Sequence, residues 1–286
     1  MTQQIIGVLH PGNMGVSVAV SIKAAGNKVL WASEGRSDAT QRRALKTELE
    51  DVFSVKKLCE NCSIIVSVCP PHVAEAVAAQ VLGYGFTGLY LDANAISPQT
   101  AGRIGKQVTS AGASFVDGGI IGGPAWEPGN TWLYLSGSAA EELAGILKGG
   151  PLEIAAIGDE AGKASALKMC YAAYTKGTSA LLSAIVAAAE YHGVREDLER
   201  QWSRSGSGFA EKTASRVRRV TSKAWRFIGE MEEIAVTFRA AGLPAGFHEA
   251  AAEVYRRMDG LEKLPDTPSL KQVLSALLNH GANFVE

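Results

Sequence analysis

Ile5-Ile-Gly-Val-Leu-His-Pro-Gly-Asn-Met-Gly15 decides how the first half of this chain reads. A short β-branched run, Ile5–Leu9, predicts a strand, and Met14–Ala25 predicts the helix that follows. Glycines in such a strand-to-helix turn, in the pattern G-x-G-x-x-G, let backbone approach a pyrophosphate and let the helix pack on the strand. The helix N-terminus adds unpaired N–H groups and a partial positive charge. Gly12 and Gly15 stand at the middle and last positions of the pattern, and His10 replaces the first glycine. His10 either fills the turn or donates to a phosphate. With Pro11, Asn13 and Met14 it completes a candidate cofactor-binding loop.

Outward from that loop, strand-like and helix-like segments alternate. Strands are expected at Lys28–Trp31, Ser63–Val68, Gly88–Asp92, Ser114–Asp117, Trp132–Ser136 and Glu153–Ala156. Helices are expected at His72–Leu82, Pro98–Ser110 and Ala139–Lys148. Ser97-Pro98 reads as an N-cap followed by proline at the first helical position. Such alternation argues for βαβ units and a mainly parallel sheet. After Ala156 no strand signal remains. Residues 161–192 hold no proline and carry apolar side chains at helical spacing, predicting one helix of roughly 45 Å that stops at Gly193. Further helices are expected at Arg195–Ser203, Gly208–Val220, Lys223–Ala241, Gly246–Met258 and Ser269–Asn279. The expected organisation is therefore an α/β nucleotide-binding domain over residues 1–158 and an all-helical domain over 159–286.

With 286 residues, 47% of them hydrophobic, the chain can build about two ordinary cores. A net charge of −1 leaves bulk attraction to nucleic acid without support. Apolar stretches such as Ala180–Ala189 are too short to span a bilayer. The opening residues lack the basic start and cleavage site of a secretory signal, so a cytoplasmic protein with no membrane partner is expected. Cys59-Glu-Asn-Cys62 matches C-x-x-C, but no second pair with ligand spacing follows, so two ordinary thiols and no metal site are expected. The basic run Arg216–Arg219, with Lys223 and Arg226, reads as a solvated helix face.

The end of the second strand bears on the choice of dinucleotide. It reads Trp31-Ala-Ser-Glu-Gly-Arg-Ser37. Glu34 could hold a ribose 2′-hydroxyl, as NAD sites usually do. Ser33, Arg36 and Ser37 suit a 2′-phosphate, which arginine grips bidentately. NADP(H) is the favoured expectation, with NAD(H) second.

These features together resemble the β-hydroxyacid dehydrogenase family, related to 6-phosphogluconate dehydrogenase and to imine reductases, over nearly the whole chain. Val8–Gly15 is similar to the family's glycine-rich opening, and the fold that this implies is a Rossmann domain followed by an all-α domain built around a long helix. Val66-Ser-Val-Cys-Pro-Pro71 resembles the loop near the nicotinamide ribose, which implicates Cys69 and Pro70. Leu91–Pro98 resembles a segment in which Asn94 takes the place of a family serine. Asp117-Gly-Gly-Ile-Ile-Gly-Gly123 resembles the substrate-binding stretch. Gly122 and Gly123 match, while Ile121 replaces a serine.

Gly162-Lys-Ala-Ser-Ala-Leu-Lys-Met-Cys-Tyr171 resembles the catalytic stretch, with Lys168 on the catalytic lysine and Tyr171 on the following asparagine. By itself Lys168 would pass for an ordinary helix lysine. The resemblance implies a general acid/base for alcohol–carbonyl interconversion with a small molecule, and Tyr171 would orient substrate or share the relay. Lys176 either faces the same cleft or is solvated. The segment Lys223–Ile234 resembles a subgroup with a distinctive helical domain of uncharacterised role. There Trp225 and Met231 either line a substrate cleft or pack in a core, Glu230 either lines it or lies on a solvated face, and His248 is open in the same way. An imine reductase and a non-catalytic NADP-binding sensor are the rival expectations, and the family resemblance implies a homodimer.

Overall fold

The computed structural model describes residues 3–279. It divides into two compact units, the first ending at Met169 and the second beginning at Cys170.

In the first unit eight strands form one sheet: β1 (Ile5–Val8), β2 (Lys28–Trp31), β3 (Glu50–Asp51), β4 (Ile64–Ser67), β5 (Leu89–Asp92), β6 (Ser114–Ile121), β7 (Trp132–Ser136) and β8 (Glu153–Ala156). Their order is β3-β2-β1-β4-β5-β6-β7-β8. Every neighbouring pair is parallel except β6–β7. The crossovers are α1 (Asn13–Ala24), α2 (Asp38–Lys46), α3 (Val55–Asn61), α4 (Ala74–Gly83), α5 (Pro98–Ser110) and α6 (Ala140–Leu147). Ser37, Ser54 and Ser97 cap α2, α3 and α5 by accepting from the amides of Thr40, Lys57 and Thr100, which satisfies donors that a helix start leaves open.

Each sheet face has its own apolar cluster. Val16, Ile22, Leu143 and Leu147 belong to one, with Ile6, Val8 and Leu133. Leu58, Val81 and Ile104 belong to the other, with Ile65, Tyr90 and Phe115. Strand order reverses at β1 and β4, because β2 leaves on one side of β1 and β4 lies on the other. In open α/β sheets the crevice beyond the strand ends at such a point is where ligands bind.

Three local expectations needed revision. β6 runs on past Asp117 to Ile121, because Gly118–Ile121 pair antiparallel with Leu135–Trp132. Between β2 and β4 lie α2 and the two-residue β3, neither visible in the sequence pattern. Helix α2 buries only Ala44, so it carries almost no apolar period. The long helix is not uniform either: α7 (Lys163–Ala172) and α8 (Thr178–Tyr191) are joined by a π-helical turn, Ala173–Gly177. Gly193, at φ 71°, ends it as expected.

The second unit is helical: α8, α9 (Arg195–Ser203), α10 (Phe209–Val220), α11 (Ala224–Ala240), α12 (Gly246–Arg257) and α13 (Leu270–Asn279). Met231, Ile234, Ala252, Tyr255 and Leu274 are among its buried side chains. The sheet ends at Ala156, close to the expected boundary at 158/159. The first compact unit nevertheless extends into α7, whose opening turn is bound to the sheet by the bonds described below. Among the described residues no helix is long and apolar enough to cross a membrane.

Candidate active site

The loop from β1 to α1 is shaped by two glycines. A Cβ on Gly15 would lie 2.0 Å from the carbonyl oxygen of His10, so only glycine fits where helix and loop meet. A Cβ on Gly12 would meet nothing within 4 Å, which leaves open space above the loop. Gly12 donates to the His10 carbonyl at 2.8 Å, closing the turn that a first glycine would normally make. As the residue before α1, Gly12 supplies no side-chain cap. The amides of Asn13, Met14 and Gly15 are first-turn donors with no partner inside the helix, at its positive end. An uncapped helix start beside open space fits a dinucleotide pyrophosphate.

His10 is half-buried, and its Nδ1, closed to solvent, has no hydrogen-bond partner among the described residues. Burial first, and the Arg36 cation second, push its pKa down to about 4, so the ring is neutral at pH 7. Arg36 is half-buried, its Nε likewise without a partner among the described residues, and it interacts electrostatically with Cys69 as well as His10. The guanidinium is thus close enough to His10 and Cys69 to be felt electrostatically by both. Ser33 donates its amide to Asp51 at 3.1 Å. The Ser37 hydroxyl is taken up in capping α2 and pairs with the Thr40 hydroxyl at 3.2 Å. Glu34 is exposed. Arg43, passed over in the sequence, brings a second buried, unpartnered Nε to this helix and donates to Thr40 at 3.3 Å.

The loops after β4 and β5 are tied by one side chain. Asn94 Oδ1 accepts from the Cys69 amide at 2.5 Å, while Nδ2 donates to Ser67 at 3.1 Å and to Asp92 at 2.9 Å. Asn94 is thus a strut that fixes the Cys69–Pro70 loop. Burial raises the Cys69 thiol to about 12, and it raises the Asp92 carboxyl to about 7 against the hydrogen bonds from Asn94. Partial burial of Cys59 and full burial of Cys62 raise them to about 11 and about 12, and both remain free thiols. Neither has the lowered pKa of a reactive cysteine.

Asp117 organises the far side of the site, a role its sequence context did not reveal. Its Oδ2 accepts from the amides of Gly162 and Ser165, each at 2.9 Å, and from the Ser136 hydroxyl at 3.0 Å. Its Oδ1 accepts from the Ser165 hydroxyl at 2.5 Å. These bonds clamp the start of α7 onto β6 and β7. Gly119 permits the close approach, because a Cβ there would sit 2.5 Å from the Ala164 carbonyl and 3.1 Å from Lys168 Cβ. Lys168, one turn along, donates from Nζ to the Ile120 carbonyl at 2.6 Å. Gly122 follows at φ 127°, walled by the backbone of Asn130 and Thr131, and the Gly123 carbonyl accepts from the Thr131 hydroxyl at 2.7 Å. Ile121 is half-buried at the strand end.

The model for the NAD-binding domain of 6-phosphogluconate dehydrogenase matches residues 5–147. The chain belongs to this family. Such proteins are NAD(P)-dependent oxidoreductases, and dehydrogenases acting on CH–OH groups share its fold. A domain of unknown function, DUF1932, matches residues 189–258. An uncharacterised 28.5 kDa protein of Methanothermus fervidus is 33% identical over 186 residues, covering 64% of this chain and 71% of the relative. A conserved protein of unknown function, reported as structurally similar to 3-hydroxyacid dehydrogenases, superposes with TM-score 0.66 at 28% identity, over 91% of this chain and 99% of its own. The 3-hydroxyisobutyrate dehydrogenase of Salmonella typhimurium gives TM-score 0.68 at 19% identity, over 96% and 99%. Imine reductases share the fold as well.

In this member of the 6-phosphogluconate dehydrogenase family, the sequence-marked residues of the helical unit separate into different roles. Tyr171 is exposed on α7, three residues after Lys168. Met231 is fully buried in the core of the unit, so it lines no cleft, whereas Trp225 is about half exposed. Lys176 is not solvated: in the π turn its Nζ lies 2.8 Å from Glu230 Oε2 and 5.0 Å from the centroid of Phe227. Its carbonyl accepts from the Tyr255 hydroxyl at 2.7 Å. His248 is buried against the Phe238 ring, 4.2 Å between centroids, and burial lowers its pKa.

Proposed function

We propose that this chain is an NADP(H)-dependent oxidoreductase that interconverts a hydroxyl and a carbonyl group on a small molecule, with Lys168 as general acid/base. The observation that carries this reading is the placement of Lys168. A lysine in the first two turns of α7 is held against the end of β6 by its bond to Ile120, in the same compact unit as the open Gly12–Gly15 loop. The first-turn amides of α1 bind the pyrophosphate, and the Asn94-braced loop at Cys69–Pro70 lies alongside. When bound, the nicotinamide supplies a hydride to the carbonyl carbon or takes one from the alcohol carbon. In reduction Lys168 gives a proton to the carbonyl oxygen; in oxidation its neutral amine takes the hydroxyl proton. The Ile120 carbonyl holds the amine in place, limiting the orientational entropy the step must overcome. Tyr171, on the same helix, orients the substrate oxygen or relays the proton, and Gly122 and Gly123 contact the substrate's polar end.

Arg36 supports NADP over NAD, because it is a cation beside the loop with Nε unengaged and no carboxylate partner among the described residues. Exposed Tyr174, Leu181 and Tyr191 along the π turn and α8 support a homodimer; a monomer by sedimentation at micromolar concentration would count against it.

The test is NADPH oxidation with a panel of aldehydes, β-keto acids and cyclic imines, repeated with Lys168→Ala. Turnover on carbonyls that falls by about 10²–10⁴-fold in the variant, with NADPH affinity kept, supports the reading. Turnover confined to imines would favour imine reduction. Tight NADPH binding without turnover on any class would favour a sensor, and undiminished turnover in the variant would remove Lys168 from the chemistry.

A further inference from the structure

The helical unit holds a cavity of about 910 Å³ between α8, α10 and the start of α11. Ligand pockets commonly span about 300–1,000 Å³. All of its walls come from residues 179–227, so it is complete within this unit. Its apolar surface is supplied by Leu182, Phe209, Val220 and Phe227. Its polar surface is strongly one-sided: Lys212, Arg216, Arg219 and Lys223 face a single acid, Glu211. None of these four cations has a carboxylate within ion-pair distance among the described residues. Several other arginines of the unit are paired, as Arg195 is with Glu190 and Glu199 and Arg256 with Glu232 and Glu253. A second, independent observation is Thr213 in the cavity wall. It is 2% exposed, and its hydroxyl has no hydrogen-bond partner among the described residues. Leaving a buried hydroxyl unpaired costs about 1–3 kcal/mol, so an incoming acceptor gains by meeting it.

We propose that this cavity binds a small amphipathic anion: an apolar body laid on Leu182 and Phe227, with a carboxylate or phosphate head among Arg216, Arg219 and the Thr213 hydroxyl. A basic rim alone would suit any polyanion. The apolar floor selects a ligand with a hydrocarbon part, and Glu211 disfavours one that carries extra negative charge at that edge. Phe227 also carries Lys176 on its ring, so an occupant packed on Phe227 is linked through one side chain to the buried Lys176–Glu230 pair. The proposal holds whether or not the chain reduces a carbonyl.

The experiment is calorimetric titration of the full-length protein with octanoate, octyl phosphate and 1-octanol. Octanoate or octyl phosphate is expected to bind with Kd near 1 mM or tighter, more weakly as salt rises, and 1-octanol at least tenfold more weakly. Whichever anion binds more tightly identifies the headgroup. Arg216→Ala with Arg219→Ala, both exposed positions, should weaken anion binding by about tenfold or more without changing the melting temperature or the affinity for NADPH. Thr213→Val should weaken it by a smaller factor. Equal affinity for octanol and octanoate, or an unchanged Kd in the arginine variant, would overturn the proposal. So would absent anion binding together with an arginine variant that sediments as a smaller species, because the cavity would then be a seat for a second copy of the chain.

Discussion

Lys168 Nζ lies 2.6 Å from the carbonyl oxygen of Ile120, a bond between a helix and the strand end it crosses. The contact exists because β6 presents Gly119 beneath α7, where any Cβ would strike the Ala164 carbonyl. Gly119→Ala should therefore push the helix off the strand. A loss of about 1–3 kcal/mol, typical of overpacking, is expected in urea unfolding. Turnover should fall further than a stability loss of that size explains, because the amine loses its anchor. Wild-type stability and rate in Gly119→Ala would show that the helix does not need this approach.

How much of this was legible in advance depended on the range of the interactions. Gly12 and Gly15 act within a few residues, so spacing alone located the loop. Lys168 was not identified by spacing; only its likeness to a family motif separated it from any other helical lysine. The role of Asp117 is not visible in the sequence, since its partners Ser136, Gly162 and Ser165 arrive from distant segments. Met231 and Lys176 could not be sorted for the same reason: burial and the Glu230 pairing are properties of the packed helices. The π turn left no sequence trace, because apolar spacing runs through it unchanged.

Arg36 offers a direct probe of coenzyme choice. Its guanidinium is the cation that His10 feels, and its Nε is unengaged among the described residues. Arg36→Ala should raise the Kd for NADPH by about tenfold or more, the scale of a lost charge-assisted bond, and change that for NADH by much less. Fluorescence titration with both coenzymes measures the ratio. Parallel losses would mean that Arg36 shapes the loop without reading the 2′-phosphate.

Two groups whose titration is shifted by burial give stability opposite pH slopes. His10 falls from its ordinary 6.5 to about 4, so folding favours its neutral form. Its contribution is full above about 6.5 and is lost as pH drops toward 4. Asp92 rises from 3.8 to about 7, so folding favours its protonated form. Its contribution is full below about 3.8 and is lost as pH climbs through 7. Asp92→Asn, which imitates the protonated acid, should gain on wild type as pH rises from about 5 to 8. His10→Gln should gain on it as pH falls from about 7 to 4.5. Urea midpoints across that range measure both differences, and a constant offset from wild type in either variant would show that the group does not titrate in the folded state as described.

Glu230 should be the most sensitive charged position in the helical unit. It is buried, 2.8 Å from Lys176, with Arg226 further off at 3.9 Å. Removing one partner of a buried ion pair costs about 3–5 kcal/mol because the other charge is stranded. Glu230→Gln, with Arg226 unable to compensate Lys176, should fall toward the lower end of that range. Replacing the pair with apolar side chains in Lys176→Met/Glu230→Leu should recover much of the loss, since both desolvated charges go together. Thermal unfolding of Lys176→Met, of Glu230→Leu and of the double variant closes the cycle. If the double variant loses the sum of the two single losses, the two charges do not interact across the π turn.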